Sequence, residues 1–177
     1  KYKPHSSKKV VEDLENVLKR DFTTTYINEK WVGDITYIHT SRYGWCYLAS
    51  VLDLHSKKII GYAFAKRMTN DLVVKALKNA YYNQNPNKNK HIIFHTDLGS
   101  QYTSNDLKGL CKEFNIIQSF SKKGYPYDNA CIESFHSSIK KEEIYRNTYR
   151  TFEEANIAIL NILKVGITEK GYTLLLI

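Results

Sequence analysis

Asp34, Asp97 and Glu133 are the acidic residues of this chain best placed to do chemistry together. Asp34 sits in the middle of WVGDITYIHT, a stretch patterned as a strand, where aspartate is a poor strand former. Asp97 closes the apolar run HIIFHTD and stands two residues before Gly99; in open α/β sheets, sites are built at that end of a strand. Glu133 falls in the first turn or two of a helix. Taken singly, each reads as a capping or surface carboxylate. Brought onto neighbouring elements they would repel one another unless cations neutralised them. Hard divalent ions with oxygen ligands answer that need, and Mg²⁺ takes a few carboxylates plus substrate phosphates. Two such ions side by side would activate an attacking oxygen and stabilise a leaving one in phosphoryl transfer.

The elements that must hold these residues follow from periodicity. WVGDITYIHT, GWCYLASVLDL and KKIIGYAFAK are rich in β-formers and are separated by turns at Ser41–Gly44 and His55–Lys58, which predicts an antiparallel meander. From Asn70, Leu72, Val73, Ala76, Leu77 and Ala80 recur at helical spacing until the polar NQNPNKNK ends the helix. HIIFHTD and IIQSF read as short strands, with Ser104 capping the helix NDLKGLCKEF between them. SKKGYPYDN is a loop. Asp128 or Asn129 then caps a long helix to about Arg146, whose apolar stripe is Ile132, Phe135 and Ile139. Thr151 caps a last helix, FEEANIAIL. The order βββαβαβαα predicts one α/β domain with a mixed sheet, its first and fourth strands able to lie side by side. Residues 1–30 read as a basic arm or linker with one helix in VVEDLENVLKR, and 31–161 as the core.

The formal charge of +8 favours an anionic partner, nucleic acid first and an acidic membrane second. Cys46, Cys111 and Cys131 are odd in number and widely spaced, which argues against a disulfide framework and suits a reducing cytoplasm. No apolar run approaches the ~20 residues of a membrane span, and KYKPHSSKKV has no apolar segment behind it, so neither anchor nor secretory leader is expected.

Around the carboxylates stand further candidates. Lys140 lies seven residues after Glu133, about two helical turns, on the same face; it or Lys141 is a candidate for a DNA phosphate, against the plain alternative of a solvated basic face. His136, one turn after Glu133, is either a contact to DNA or a metal-bound water, or a packing histidine. His95 shares the strand face of Asp97 and suits a supporting role. Gln101 and Tyr102 would border the site from the following loop. In KKGYPYDN, Lys122 and Lys123 add charge, while Tyr125 and Tyr127 offer stacking faces for splayed bases. Asn129 is a helix cap or a DNA contact.

The segments WVGDITYI, HTDLGSQYTS and SFSKKGYPYDNACIESFHSSIKKE resemble the catalytic core of bacterial insertion-sequence transposases of the DDE type, relatives of retroviral integrases. The resemblance runs over about residues 15–161, and the thirty-five residues between Asp97 and Glu133 match the family's spacing. It implies an RNase H-like fold: a five-stranded mixed sheet, three antiparallel strands then two parallel, flanked by helices. It implies that Asp34, Asp97 and Glu133 bind Mg²⁺ or Mn²⁺, two ions, for cleavage and strand transfer at element ends. The implied partners are double-stranded DNA and further copies of the chain, in a bacterial cytoplasm. The helix-turn-helix region that such proteins carry is expected to lie outside this chain. Two rival readings are an RNase H-like nuclease and a non-catalytic DNA-binding remnant.

The end of the chain departs from the family. Members continue past this point with an aromatic helix and a basic segment resembling YNxxRxHSxLGY, whereas this chain reads NILKVGITEKGYTLLLI. A back-translation from Asn161 with permitted codons, given one extra thymidine after the first codon, reads NYIESWYNRKRIHS. Residues 162–177 are therefore expected to be out-of-frame translation with no function of their own; losing the basic segment is expected to weaken DNA binding and leaves the activity of this copy an open question.

Overall fold

The computed structural model describes residues 15–121 and 129–165. Three strands run antiparallel as a meander: β1 (Lys30–Thr40), β2 (Gly44–Asp53) and β3 (Ile59–Ala65). Helix α1 (Asn70–Gln84) crosses to β4 (Ile92–Thr96), and α2 (Asn105–Glu113) to β5 (Ile116–Phe120). Helices α3 (Ala130–Ile139) and α4 (Phe152–Val165) complete the chain's regular structure. The sheet order is β3-β2-β1-β4-β5. β1 pairs antiparallel with β2 and parallel with β4, which itself pairs parallel with β5. The expected mixed sheet forms, and its first and fourth strands are neighbours.

Helices cover both faces. Leu72, Leu77, Leu107 and Leu110 of α1 and α2 pack with Trp31 and Phe94 in one cluster; Ile132, Ile139, Ile159 and Leu163 of α3 and α4 pack with Val32 and Leu48 in the other. Trp31 and Val32 are consecutive, point to opposite faces, and are both 0% exposed. Alternation in β1 is therefore weak at its start, where both faces are dry, and recovers toward Tyr37 and His39, where one face opens to solvent. α1 lies close against β3 at Gly61: a Cβ there would sit 2.6 Å from both the Ala76 carbonyl oxygen and Ala80 Cα.

Three local expectations change. The helix read in VVEDLENVLKR does not form over its described part, residues 15–20. Lys19 and Arg20 take positive φ values of 47° and 61°, and Leu18 is buried beside β5 instead, its N–H donating to Ser119 Oγ at 2.9 Å. Burying Leu18 against an existing core outweighs one isolated turn of helix, which is marginal alone. The stretch read as an arm thus contributes a core residue.

The long helix expected to reach Arg146 keeps α-geometry only to Ile139 and widens into a π-turn over Lys140–Ile144, with Tyr145 N–H bonding to the Lys140 carbonyl at 2.8 Å. The apolar stripe explains this. After Ile139 the next inward α-positions would be Glu142 and Glu143. A turn of five residues instead places Ile144 beneath Ile139, and Ile144 does pack against that core. Finally, Asn129 occupies the N-cap position of α3 but makes no side-chain cap bond. Ser104 and Thr151 do cap: each hydroxyl accepts from a backbone N–H three residues on, of Leu107 at 3.4 Å and Glu154 at 3.2 Å.

Candidate active site

Asp34 lies on β1 opposite Ser50 of β2, one residue beyond the Asn129 contact. That contact is the amide of Asn129, buried, donating to the Gly33 carbonyl at 3.2 Å. It ties the start of α3 to the strand that carries Asp34. Tolerance for an aspartate in mid-strand comes from its surroundings: the side chain is 24% exposed, and its Oδ2 lies 3.1 Å from His136 Nδ1. The other ring nitrogen of His136 lies 3.2 Å from Ser50 Oγ. His136 is itself buried, so one imidazole links the carboxylate on β1 to the hydroxyl on β2 from beneath α3.

Asp97 follows the last residue of β4. The β1–β4 register pairs Val32 with His95, which puts Asp97 level with Asp34 if the alignment is carried two residues on. Its Oδ1 accepts the Gly99 N–H at 3.0 Å, an aspartate turn that fixes the carboxyl at the strand's end. A Cβ on Gly99 would lie 2.9 Å from that oxygen, so the turn has little room for a larger residue. Partial burial, first, and the neighbouring Asp34 raise the Asp97 carboxyl above its usual range, against the Gly99 bond. Glu133 sits in the first turn of α3, exposed, and is raised by partial burial and then by Asp34, while His136 opposes the shift. Asp34 is thus the charge felt by both other carboxylates. The three are brought into one electrostatic neighbourhood.

Tyr102 was expected to border the site from the loop. It lies under it: buried, edge-on to Phe94 with ring centroids 6.3 Å apart. Burial, then Asp34 and then Asp97, push its phenol well above the ordinary value, so it stays protonated. Gln101 is half-buried at the mouth of this turn, and its carbonyl accepts from Ser104 Oγ at 2.8 Å. His95 is buried with Nδ1 2.8 Å from Ser119 Oγ, on the face of β4 that looks toward Leu18. Lys140 begins the π-turn and is half-buried, whereas Lys141 is exposed. Lys122, Lys123, Tyr125 and Tyr127 lie outside the described residues.

The carboxylates fit a hard divalent cation by charge and donor type. Burial, and then the neighbouring Asp34 charge, disfavour the charged forms of Asp97 and Glu133, a penalty that a bound cation would relieve. Among the described residues, no three histidine, cysteine, aspartate or glutamate side chains stand close enough together to hold a metal ion. Sequence reasoning weighed His136 and Asn129 without finding their partners. The signal available was the spacing of His136, one turn after Glu133 beside the inward stripe.

Residues 25–126 match the integrase core domain family. The InsF transposase of insertion sequence IS3A from Escherichia coli K12 is 41% identical over 150 residues, which covers 85% of this chain and 51% of InsF. The transposase of insertion sequence element IS904 from Lactococcus lactis is 36% identical over 164 residues, covering 93% of this chain and 64% of its own. The chain spans about half the length of the InsF relatives it matches. Among solved structures, a simian T-cell lymphotropic virus intasome superposes with a TM-score of 0.64 at 18% identity, covering 83% of this chain and 52% of the other. The HTLV-2 integrase catalytic core in complex with magnesium gives 0.59 at 18% identity, covering 82% and 93%. At such identities the likeness is one of fold, the RNase H-like sheet with helices on both faces. No described helix is long and apolar enough to cross a membrane.

Proposed function

We propose, for a chain that belongs to the integrase core domain family, that Asp34, Asp97 and Glu133 are its catalytic carboxylates and that it cleaves and joins DNA strands during transposition of an insertion sequence. The observation that carries this reading is geometric: Asp34 and Asp97 stand on adjacent parallel strands at matching register, and Asn129 ties the start of the helix bearing Glu133 to β1 at Gly33. Mg²⁺ or Mn²⁺, held by these residues, would supply Lewis acidity toward a scissile phosphate and its attacking oxygen. The chain's own work is positional. His136 and Ser50 hold the Asp34 carboxylate, the Gly99 N–H holds that of Asp97, and Asn129 holds α3 against β1 so that Glu133 faces them. Lys140, on the Glu133 face of α3, is placed to hold a phosphate of the strand being cut.

Double-stranded DNA is the substrate under this reading, and joining two element ends calls for more than one copy of the chain. A nuclease of the same fold remains the alternative if cutting occurs without joining. The test uses the whole chain with duplex oligonucleotides bearing an element end, with Mg²⁺ or Mn²⁺, against Asp97→Asn. Metal-dependent nicking and joined products that vanish in the variant support the proposal. Product formed by Asp97→Asn at parental levels would sink the carboxylate assignment. Nicking without joining would favour the nuclease.

Residues 162–177 belong to the same proposal as out-of-frame sequence. Ile162 and Leu163 continue α4, and Leu163 is buried. The restored frame would place an isoleucine at that buried position, so helix packing accommodates either frame there.

A further inference from the structure

Beyond the carboxylates, β1 and β2 carry a second feature. Tyr37, Trp45 and Tyr47 on the strands, with Tyr145 after the π-turn, line an open groove of about 590 Å³. Large aromatic side chains are ordinarily drawn inward. Here Trp45 is 58% exposed and Tyr145 73%, so this is surface kept apolar. The rings on the strands meet edge to face, Tyr37 with Trp45 at 82° and with Tyr47 at 70°, which leaves ring faces free for a flat guest. Lys140 also lines the groove, and among the described residues no acidic one does.

We propose that this groove binds unpaired bases of a DNA strand passing the carboxylates. It rests on the reading that the chain acts on DNA, and it adds where a strand goes once separated from its complement. The helix places the groove near the site: Lys140, which lines it, is seven residues past Glu133, about 10 Å along the helix. Tyr37 is three residues past Asp34 on β1, so its ring lies on the other face of that strand, and a DNA strand reaches it from the Lys140 side. A strand whose phosphate lies on Lys140 therefore has its neighbouring base within reach of Tyr37, Trp45 and Tyr145. The groove's size falls within the roughly 300–1,000 Å³ of ligand clefts. Paired bases offer their faces only to each other, whereas unpaired bases stack on aromatic rings regardless of sequence. His39, which meets Trp45 at 5.1 Å between centroids, and Thr148 supply polar atoms at the margin for base edges. Net positive charge and the lysine favour a nucleic acid over an apolar protein partner.

Tryptophan fluorescence tests this directly, because the chain has two tryptophans and Trp31 is wholly buried. The whole chain carrying Asp97→Asn, in metal-free buffer, is titrated with an oligothymidylate, with a blunt duplex, and with the same duplex bearing a single-stranded extension. The expected result is quenching of the exposed Trp45 by the oligothymidylate and the extended duplex at concentrations on the order of ten-fold below the blunt duplex. Tyr145→Ala, read by the same quenching, should weaken binding of the single strand on the order of ten-fold and blunt duplex binding little. Tyr145 is too exposed for its loss to unfold the protein. Equal quenching by all three probes overturns the proposal, as does a Tyr145→Ala variant with unchanged affinity. Self-association that is lost in Trp45→Ala while DNA affinity is kept overturns it in favour of a second copy as occupant. Because metal and catalysis are absent from this assay, failure of the carboxylate reading leaves its outcome untouched.

Discussion

Replacing His136 with leucine separates two jobs that one imidazole performs. Leucine is close in volume, so packing under α3 is largely kept while both ring contacts are lost. On the β1 side, Asp34 loses a partner at 3.1 Å. Hydrogen bonds to charged groups are worth about 1.5–3 kcal/mol, so if that bond orients the carboxylate for catalysis the rate should fall roughly 10- to 150-fold. On the β2 side, Ser50, 1% exposed, is left with a buried hydroxyl lacking its partner at 3.2 Å, a further cost of about 1–3 kcal/mol in stability. Adding Ser50→Ala removes the stranded hydroxyl. The double variant should recover about 1–3 kcal/mol in urea unfolding relative to His136→Leu, while metal-dependent strand cleavage stays down by the same 10- to 150-fold. His136→Gln, which keeps an N–H donor, should recover part of the rate. If Ser50→Ala restores rate and stability together, His136 serves folding only, and its role in orienting Asp34 is refuted.

Asp97→Asn should raise the thermal midpoint at neutral pH in metal-free buffer. The raised carboxyl of Asp97 means the folded state binds its proton more tightly than the unfolded chain, so the penalty is absent well below about pH 4, grows as pH rises through the folded value, and is complete above it. Calorimetry across pH should show the variant's advantage fading toward acid, and added Mg²⁺ should raise the midpoint of the parent more than that of the variant. Gly61→Ala should lower the midpoint on the order of 5–10 °C, because backbone at Ala76 and Ala80 must move away, an overpacking cost of about 1–3 kcal/mol; Gly44→Ala meets no atom and bears only the strain of φ 75°. Lys140→Ala should weaken DNA binding and reduce the slope of log affinity against log salt by about one, measured by fluorescence anisotropy. Sequencing the coding DNA decides the reading of residues 162–177: codons for Asn161 to Thr173 that cannot yield NYIESWYNRKRIHS in another frame would end it.

What could be read in advance depended on how local its cause was. Strand and helix order followed from runs such as KKIIGYAFAK and from caps such as Ser104, whose partners lie three residues away. The adjacency of the strands bearing Asp34 and Asp97 was legible from the order of elements, and a spacing and the resemblance of long segments singled out Glu133 beside them. The buttress beneath Asp34 was not, since His136 and Ser50 meet across 86 residues of chain and no local pattern marks the pair. Leu18 misled for a related reason: its helical neighbourhood was judged without the β5 surface that takes it up. The aromatic groove was hidden because Tyr37, Trp45 and Tyr47 look like ordinary strand residues until their exposure at the end of β1 and β2 is seen.

The π-turn at Lys140–Ile144 has the effect of a one-residue insertion in an α-helix, and so acts as a phase shifter. Upstream, Ile132, Phe135 and Ile139 lock the rotation of α3, and with it Glu133, to the sheet. Downstream, Tyr149 bridges to Thr40 and locks the chain to the far end of β1. A continuous α-helix would force one angle on both ends. With the extra residue, each end keeps its own angle, and Tyr145 can turn toward the groove without rotating Glu133. Deleting a single residue here would swing Tyr145 by about 100°, one α-helical step, and disconnect the two surfaces while leaving each intact.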